Sequence, residues 1–317
     1  MKIAIIGAGW VGCHLASKLM NDHEVVVYES EGIFSQTSYK NQNRLHLGYH
    51  YARSSLTRDL CINTFNKFLE DYPSLISDIE NNIYVVPNDK SIIDFKTYLK
   101  IFDYMTHDLV NLMYLNNIEG AIRVNERFID PFKSKKYFID LLKNNIVYKI
   151  ITEEDLRSLA LNNDLVINAT NNVLSPILED VKYELCEVLV YKKVAPVEFG
   201  ALTFVDGDLF SIFPYQDDLY TVTQVNITPN QDLTTEQKRK ALSKSIEYYY
   251  SSFNNDFKFH HSFKSYKVKN VSSYDSRIPR IIKNDNIITT FTGKIQGIYQ
   301  IEEYVLNQIK ELKSGNT

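Results

Sequence analysis

Three glycines and one acid near the start of the chain have the spacing of a dinucleotide-binding turn. Gly7-Ala8-Gly9-Trp10-Val11-Gly12 follows at once on the apolar run of residues 2–6 (KIAII). A helix-like stretch over residues 13–20 comes next, and a second apolar run, residues 25–28, ends on Glu29. The order is strand, glycine turn, helix, strand, acid, with Ala8 and Val11 completing the loop. Gly7 allows a sharp turn that a Cβ would obstruct. Gly9 lets the backbone approach a pyrophosphate, and Gly12 lets the helix pack tightly on the sheet. The helix N-terminus offers N–H groups and partial positive charge to phosphate. Glu29, roughly 20 positions beyond Gly7, is placed to accept hydrogen bonds from ribose hydroxyls. It would repel a 2′-phosphate, so the expected nucleotide is FAD or NAD rather than NADP.

A second constellation is Arg44-Leu45-His46-Leu47-Gly48-Tyr49-His50-Tyr51-Ala52-Arg53. Imidazole titrates near neutral pH, so His46 can take a proton from a reacting hydroxyl or amine. The bland alternative is a satisfied core histidine. If the segment is extended, Arg44, His46, Gly48 and His50 share one face, and Leu45, Leu47, Tyr49 and Tyr51 the other. That polar face beside a glycine suits a flat ligand. Arg44 and Arg277 each carry a planar fork suited to a substrate carboxylate or phosphate, with a structural salt bridge as the competing role. Cys13, Cys61 and Cys186 are scattered without metal or redox spacing, and no metal is expected. His260-His261 is adjacent, which in a strand sends the two rings to opposite faces.

The elements that would position these groups follow from periodicity and punctuation. Ser54 or Ser55 caps a helix running to about residue 70. Residues 83–86 form a strand closed by Pro87, and residues 89–116 read as one or two helices. Asp130-Pro131 opens a helix to about residue 142. Residues 146–151 and 165–167 are strands, and several strands follow over residues 183–227. Thr234 with Gln237 resembles a capping box at the head of a helix over residues 234–253. The chain ends with a strand at 287–291, a turn at Gly293 and a helix from about Gly297.

Composition bounds the rest. A chain of 317 residues has room for two domains with substantial cores. Its net charge of −4 gives no broad attraction to nucleic acid. No apolar run is long enough to span a bilayer, and the first one ends in the glycine turn rather than a signal sequence. A cytoplasmic protein without an integral membrane segment is expected, its oligomeric state open.

Four patches together resemble the D-amino-acid oxidase superfamily of FAD-dependent oxidoreductases, which includes glycine, sarcosine and L-2-hydroxyglutarate oxidases. The first is the glycine fingerprint with Glu29. The second, residues 38–51, is similar to the L-2-hydroxyglutarate oxidase pattern at Asn41, His46, Gly48 and Tyr51. The third is Val166-Ile167-Asn168-Ala169-Thr170, and the fourth spans residues 277–297. The sequence departs from the pattern at Asn43 and Arg44. It also departs at Asn171-Asn172, where a glycine is usual, and over residues 151–165, too short for the usual three-stranded meander.

The resemblance implies an α/β fold: an FAD-binding Rossmann-like domain of the glutathione-reductase type with an inserted α+β substrate domain on a mainly antiparallel sheet. Residues 1–82, 130–182 and 265–317 would form the FAD domain, and residues 83–129 and 183–264 the substrate domain. It implies FAD as cofactor, held by the glycine loop, Glu29, Ala169 and Thr170. Ser35, Thr37, Ser38 and Asn41 would add polar contacts, though the first three also suit a polar surface loop. Arg44 and His46 would lie at the flavin. Gly293, Lys294, Ile295, Gln296 and Gly297 would face the N1–C2=O edge where negative charge collects, unless Lys294 is a solvated surface lysine. The expected reaction is hydride transfer from a small polar substrate, carboxylated or sugar-linked (a hydroxy acid, amine or sugar derivative), to flavin N5. His46, Arg44 and Arg277 are the catalytic candidates. A redox-neutral flavin sugar mutase, a non-catalytic dinucleotide-binding protein and, more weakly, an NAD-dependent dehydrogenase are the alternatives.

Overall fold

The computed structural model describes residues 1–175, 181–271 and 277–314. In chain order the first elements are β1 (Lys2–Ile6), α1 (Trp10–Leu19), β2 (Glu24–Glu29), β3 (Arg44–Leu45), α2 (Ser55–Asp71), β4 (Ile76–Asp78), β5 (Asn82–Pro87) and α3 (Phe95–Ile101). Then come β6 (Asp108–Val110), β7 (Ile118–Val124), β8 (Arg127–Ile129), α4 (Pro131–Leu142), β9 (Ile146–Tyr148), α5 (Glu153–Asn162) and β10 (Leu165–Asn168). The chain continues with β11 (Val181–Lys193), β12 (Ala201–Phe204), β13 (Phe210–Gln216), β14 (Leu219–Gln224), α6 (Thr235–Glu247), α7 (Phe253–Asp256) and β15 (Phe257–Asn270). Last are β16 (Arg280–Asn284), β17 (Ile287–Phe291), a 3₁₀ turn over Ile295–Gly297, and α8 (Ile298–Ser314).

Two compact units result: Met1–Tyr39, Pro131–Tyr183 and Val268–Thr317 in one, Lys40–Asp130 and Glu184–Lys267 in the other. The division falls at residue 40 rather than after residue 82 as the sequence suggested. The reason is strand pairing, since β3 and β5 find their partners in the second unit.

The first unit is an α/β layer structure. Its sheet has the order β16-β17-β10-β1-β2-β9, with all strands parallel except β16. β1 and β10 are near-continuous runs of buried aliphatic residues, as a sheet covered on both faces requires. Ala4, Ile6 and Val166 pack against Leu156 of α5, while Ile5 faces Gly12 of α1. Residues 151–165, too short for a meander, form α5 instead. A capping box holds its start: Thr152 Oγ1 accepts from the Asp155 N–H, and the Asp155 carboxylate accepts from the Thr152 N–H. Hydrogen bonds from the Lys149 ammonium and from Thr152 hold the Asp155 carboxyl down to about 2. Because the strands are parallel, β1, β2, β10 and β17 end on one edge, where ligands of such sheets bind.

The second unit carries an eight-stranded sheet, β15-β11-β14-β13-β12-β5-β7-β6, and a small one, β3-β8-β4. Apart from the parallel β5–β12 pair, the registers described are antiparallel. Alternation gives the large sheet two different faces. Leu189, Leu202, Ile212 and Val222 pack with Leu242 and Ile246 of α6. On the other face Thr203 lies opposite Ser211, Ser211 opposite Thr223, and Phe213 opposite Thr221. Those hydroxyl residues are buried as well, which is unusual for a face with no structural need of them.

Several expectations change. Residues 89–116 contain one helix, α3, and the strand β6 rather than helix alone. The segment 44–53 is extended only at β3, because Gly48 adopts φ +118° and Tyr51 N–H closes a turn onto the Gly48 carbonyl. The rings of His260 and His261 meet with centroids 4.9 Å apart instead of facing opposite ways.

Candidate functional site

The glycine loop is built by close approach. Gly7 has φ +101°, and a Cβ there would stand 2.8 Å from the Ala169 carbonyl oxygen. A Cβ on Gly12 would fall 1.8 Å from the Gly7 oxygen, and one on Gly9 2.7 Å from Ser38 Oγ. Ser38 Oγ accepts the Trp10 N–H at 3.0 Å, and the Phe34 N–H bonds the Ala8 carbonyl at 3.0 Å. The loop after β2 therefore folds back over the turn, pinned by the Trp10, Phe34 and Phe138 rings. Ser35 and Thr37 lie in that same loop, partly buried.

Glu29 is buried, and its position is fixed. Its Oε2 accepts the Ala8 N–H at 2.7 Å, and its Oε1 accepts the Glu31 N–H at 3.0 Å and the Ser30 hydroxyl at 3.2 Å. Oε2 keeps room for a hydroxyl donor. No side chain caps α1 at Gly9, and the N–H groups of Val11 and Gly12 have no acceptor among the described residues. A cradle too narrow for any Cβ, open amides at a helix start and an anchored carboxylate at the strand edge fit the pyrophosphate and adenosine ribose of FAD.

The Ala169-Thr170 turn stands directly across from Gly7. Thr170 N–H and hydroxyl both donate to Asn168 Oδ1. The glycine missing at this turn is replaced by Asn171 and Asn172, both in the left-handed region at φ +58° and +65°. At the end of β17, Thr292 Oγ1 donates to the Lys294 carbonyl, and Gly297 N–H bonds the same oxygen at 3.1 Å. Gly293 lies against Arg277, and Gly297 against Thr292 and Pro279. Lys294 and Gln296 are buried, so Lys294 is not a solvated surface lysine. Ile295 opens the 3₁₀ turn that leads into α8.

Arg44, His46 and Asn41 belong to the second unit. Asn41 Oδ1 accepts the Asn43 N–H, tying the start of the segment. Arg44 is 8% exposed, its guanidinium 4.3 Å from the Phe213 ring centroid. It donates to Thr203 Oγ1 at 2.9 Å and Gln42 Oε1 at 3.0 Å, while its Nε has no acceptor. Gln42 in turn bonds Thr221 and Ser211, and Ser211 bonds Thr223. Among the described residues no carboxylate comes within ion-pair distance of Arg44. Asn82 adds a buried amide with neither atom hydrogen-bonded.

His46 is 6% exposed and sits 3.2 Å, through Nδ1, from Oε2 of the fully buried Glu126. Tyr84 donates its hydroxyl to the same oxygen at 2.7 Å. Burial and then the Glu126 charge push the Tyr84 phenol well above its usual range, which keeps it a donor. The His50 and Tyr51 rings flank His46 at 5.8 and 5.6 Å. The turn at Gly48 thus returns Tyr51 to the histidine, against the alternation expected of a strand.

Similarity to known proteins supports the FAD-binding fold. Residues 2–90 match the family model described as FAD dependent oxidoreductase. The FAD-dependent monooxygenase FPY4 of Fusarium mangiferae is 29% identical, covering 98% of this chain and 91% of its own length. The FAD-dependent monooxygenase kojA of Aspergillus flavus is 26% identical, covering 98% and 86%. Among solved structures, glycine oxidase from Geobacillus kaustophilus superposes with a TM-score of 0.75 at 11% identity, over 98% of this chain and 94% of that one. The amino acid oxidase NikD superposes at 0.67 and 12% identity, over 95% and 91%. The chain is an FAD-dependent oxidoreductase with the fold of the D-amino-acid oxidase type.

Glu126, Tyr84, Gln42, Thr203, Ser211, Thr221 and Thr223 were not anticipated. Nothing around Val124-Asn125-Glu126-Arg127 marks an acid of consequence; only pairing reveals it. Arg44 lies opposite Phe128, and Leu45 opposite Arg127. The next step of that register sets His46 opposite Glu126.

Proposed function

We propose that this enzyme oxidises a small anionic substrate, a hydroxy acid, amine or sugar derivative, by hydride transfer to FAD. The observation that carries the reading is Arg44, a buried guanidinium with no carboxylate partner among the described residues and one N–H left without an acceptor. Burying such a cation is costly, and an anionic ligand removes the cost. The hydroxyl-bearing face around it offers further donors and acceptors to a polar substrate.

Bound FAD supplies the two-electron acceptor. The glycine loop, with the amides of Val11 and Gly12, holds its pyrophosphate, and Glu29 its ribose. Ser35, Thr37 and Ser38 line the loop above. Ala169, Thr170 and residues Gly293, Lys294, Ile295, Gln296 and Gly297 support it from the neighbouring strand ends. Asn41 fixes the segment that presents Arg44 and His46. Arg44 orients the substrate anion with its fork, and His46 takes the proton released from the substrate hydroxyl or amine. Arg277 is a second candidate anion contact.

The test is anaerobic mixing of the FAD-loaded protein with a panel of 2-hydroxy acids, amino acids and sugar acids, followed at the flavin absorbance bands. Bleaching by anionic members, lost in His46→Gln and Arg44→Met, supports the reading. Turnover only after prior reduction, without net bleaching, replaces it with a redox-neutral sugar mutase. The names of the fungal relatives favour a second reading, monooxygenation. Labelled oxygen entering the product would establish that one.

A further inference from the structure

Glu126 is a carboxylate with no solvent exposure at all. Such a group is tolerated only when donors surround it. Four are in place. Leu47 N–H and Gly48 N–H donate to Oε1 at 2.8 and 3.1 Å. Tyr84 O–H reaches Oε2 at 2.7 Å, and His46 Nδ1 stands 3.2 Å from that same oxygen. Two backbone amides and a phenol all point hydrogens at this group, so both of its oxygens act as acceptors. A lone pair on Nδ1 would face it with like polarity; an N–H would add a further donor to the same oxygen as Tyr84.

We infer that Glu126 is the positioning residue of this site, fixing His46 as the Nδ1–H tautomer so that Nε2 carries the lone pair that accepts the substrate proton. The inference rests on the proton-acceptor role proposed for His46 and names what sets it. The logic is that of any imidazole whose second nitrogen is tied to a carboxylate: the tie decides which nitrogen is basic and holds the ring in one orientation. Three structural features serve the tie. The β3–β8 register brings residues 46 and 126 together. The turn at Gly48 aims two successive amides at Oε1. Tyr84, central in the large sheet between β12 and β7, holds Oε2 from the far side.

The decisive measurement is the long-range proton–nitrogen NMR spectrum of FAD-loaded protein labelled with ¹⁵N at histidine, with His46 assigned through His46→Gln. The expected pattern for His46 is a pyrrole-type Nδ1 and a pyridine-type Nε2 at pH values where the ring is neutral. In Glu126→Gln the amide oxygen remains claimed by the Leu47 and Gly48 amides, so its NH₂ faces His46. The two nitrogen signatures then exchange. Tyr84→Phe, which leaves the carboxylate in place, keeps the wild-type pattern. A protonated Nε2 with a bare Nδ1 in the wild-type protein overturns the inference even if Glu126→Gln does not fold. So does an unchanged tautomer in Glu126→Gln. Separately, a His46→Gln protein whose flavin is bleached at the wild-type rate overturns the catalytic reading while leaving the tautomer result intact.

Discussion

The Cβ that an alanine would add at residue 12 falls 1.8 Å from the carbonyl oxygen of Gly7. No rotamer relieves such a clash, because both partners are backbone. Gly12→Ala must push α1 off the turn or unwind Gly7 from its φ of +101°. Overpacking of this kind costs about 1–3 kcal/mol, and it moves the open amides that would face phosphate. The expected result is a folded chain with a lower melting temperature and little FAD. Flavin absorbance per chain after gel filtration, with a thermal melt, checks both.

Arg44→Met separates stability from recognition. Methionine keeps the contact with Phe213 and removes a buried cation that no carboxylate among the described residues balances. Replacing uncompensated buried charge by apolar bulk is often neutral or stabilising. The substrate-free variant should therefore melt no lower than wild type. Any anionic substrate should bind at least about tenfold more weakly, since charge-assisted hydrogen bonds are worth about 1.5–3 kcal/mol each. A variant that melts much lower yet binds the anion normally would assign Arg44 a structural role instead.

The nucleotide cradle was legible because it is local. Gly7, Gly9, Gly12 and Glu29 act through one strand–turn–helix–strand unit, and each requirement is written within thirty residues. The His46–Glu126 contact was not, since it joins residues 80 apart through the register of two very short strands. The alternation of residues 44–51 imitates a strand closely, and only the left-handed turn at Gly48 breaks it. Apolar spacing over residues 89–116 imitates helix, whereas Leu109 and Val110 pair on a sheet edge. The hydroxyl-rich face of β12, β13 and β14 reads as ordinary surface alternation until the structure shows it buried.

Acid should unfold the second unit partly through Glu187. Burial raises its carboxyl, but hydrogen bonds from Thr235, Ser262 and Lys238 outweigh this and hold it below its ordinary 4.5. A carboxyl whose folded pKa is depressed contributes stability above its unfolded value and loses it as pH falls through the folded one. Lys238 Nζ lies 3.1 Å away, and both side chains are buried, so removing one partner strands the other. Glu187→Gln should cost about 3 kcal/mol near neutral pH. The gap from wild type should narrow as pH drops below the ordinary glutamate range. Urea unfolding of both proteins between pH 7 and pH 3 gives the comparison; a gap independent of pH would remove the charge from the explanation.

Asn171 stands where the family resemblance leads one to expect glycine, and its φ of +58° shows why asparagine serves. The short amide side chain tolerates the left-handed region, while a β-branched residue does not. Asn171→Gly should leave the melting temperature within about 0.5 kcal/mol of wild type, as ordinary substitutions do. Asn171→Val should cost about 1–3 kcal/mol, the usual charge for a non-glycine residue forced into that conformation. The strain has a second readout, because the turn runs on from Ala169, whose carbonyl lies 2.8 Å from where a Gly7 Cβ would be. A valine that tilts the turn presses this carbonyl toward the cradle, so FAD retention should fall in Asn171→Val and hold in Asn171→Gly. Equal FAD retention in the two variants, alongside a clear stability difference, would confine the asparagine to backbone geometry.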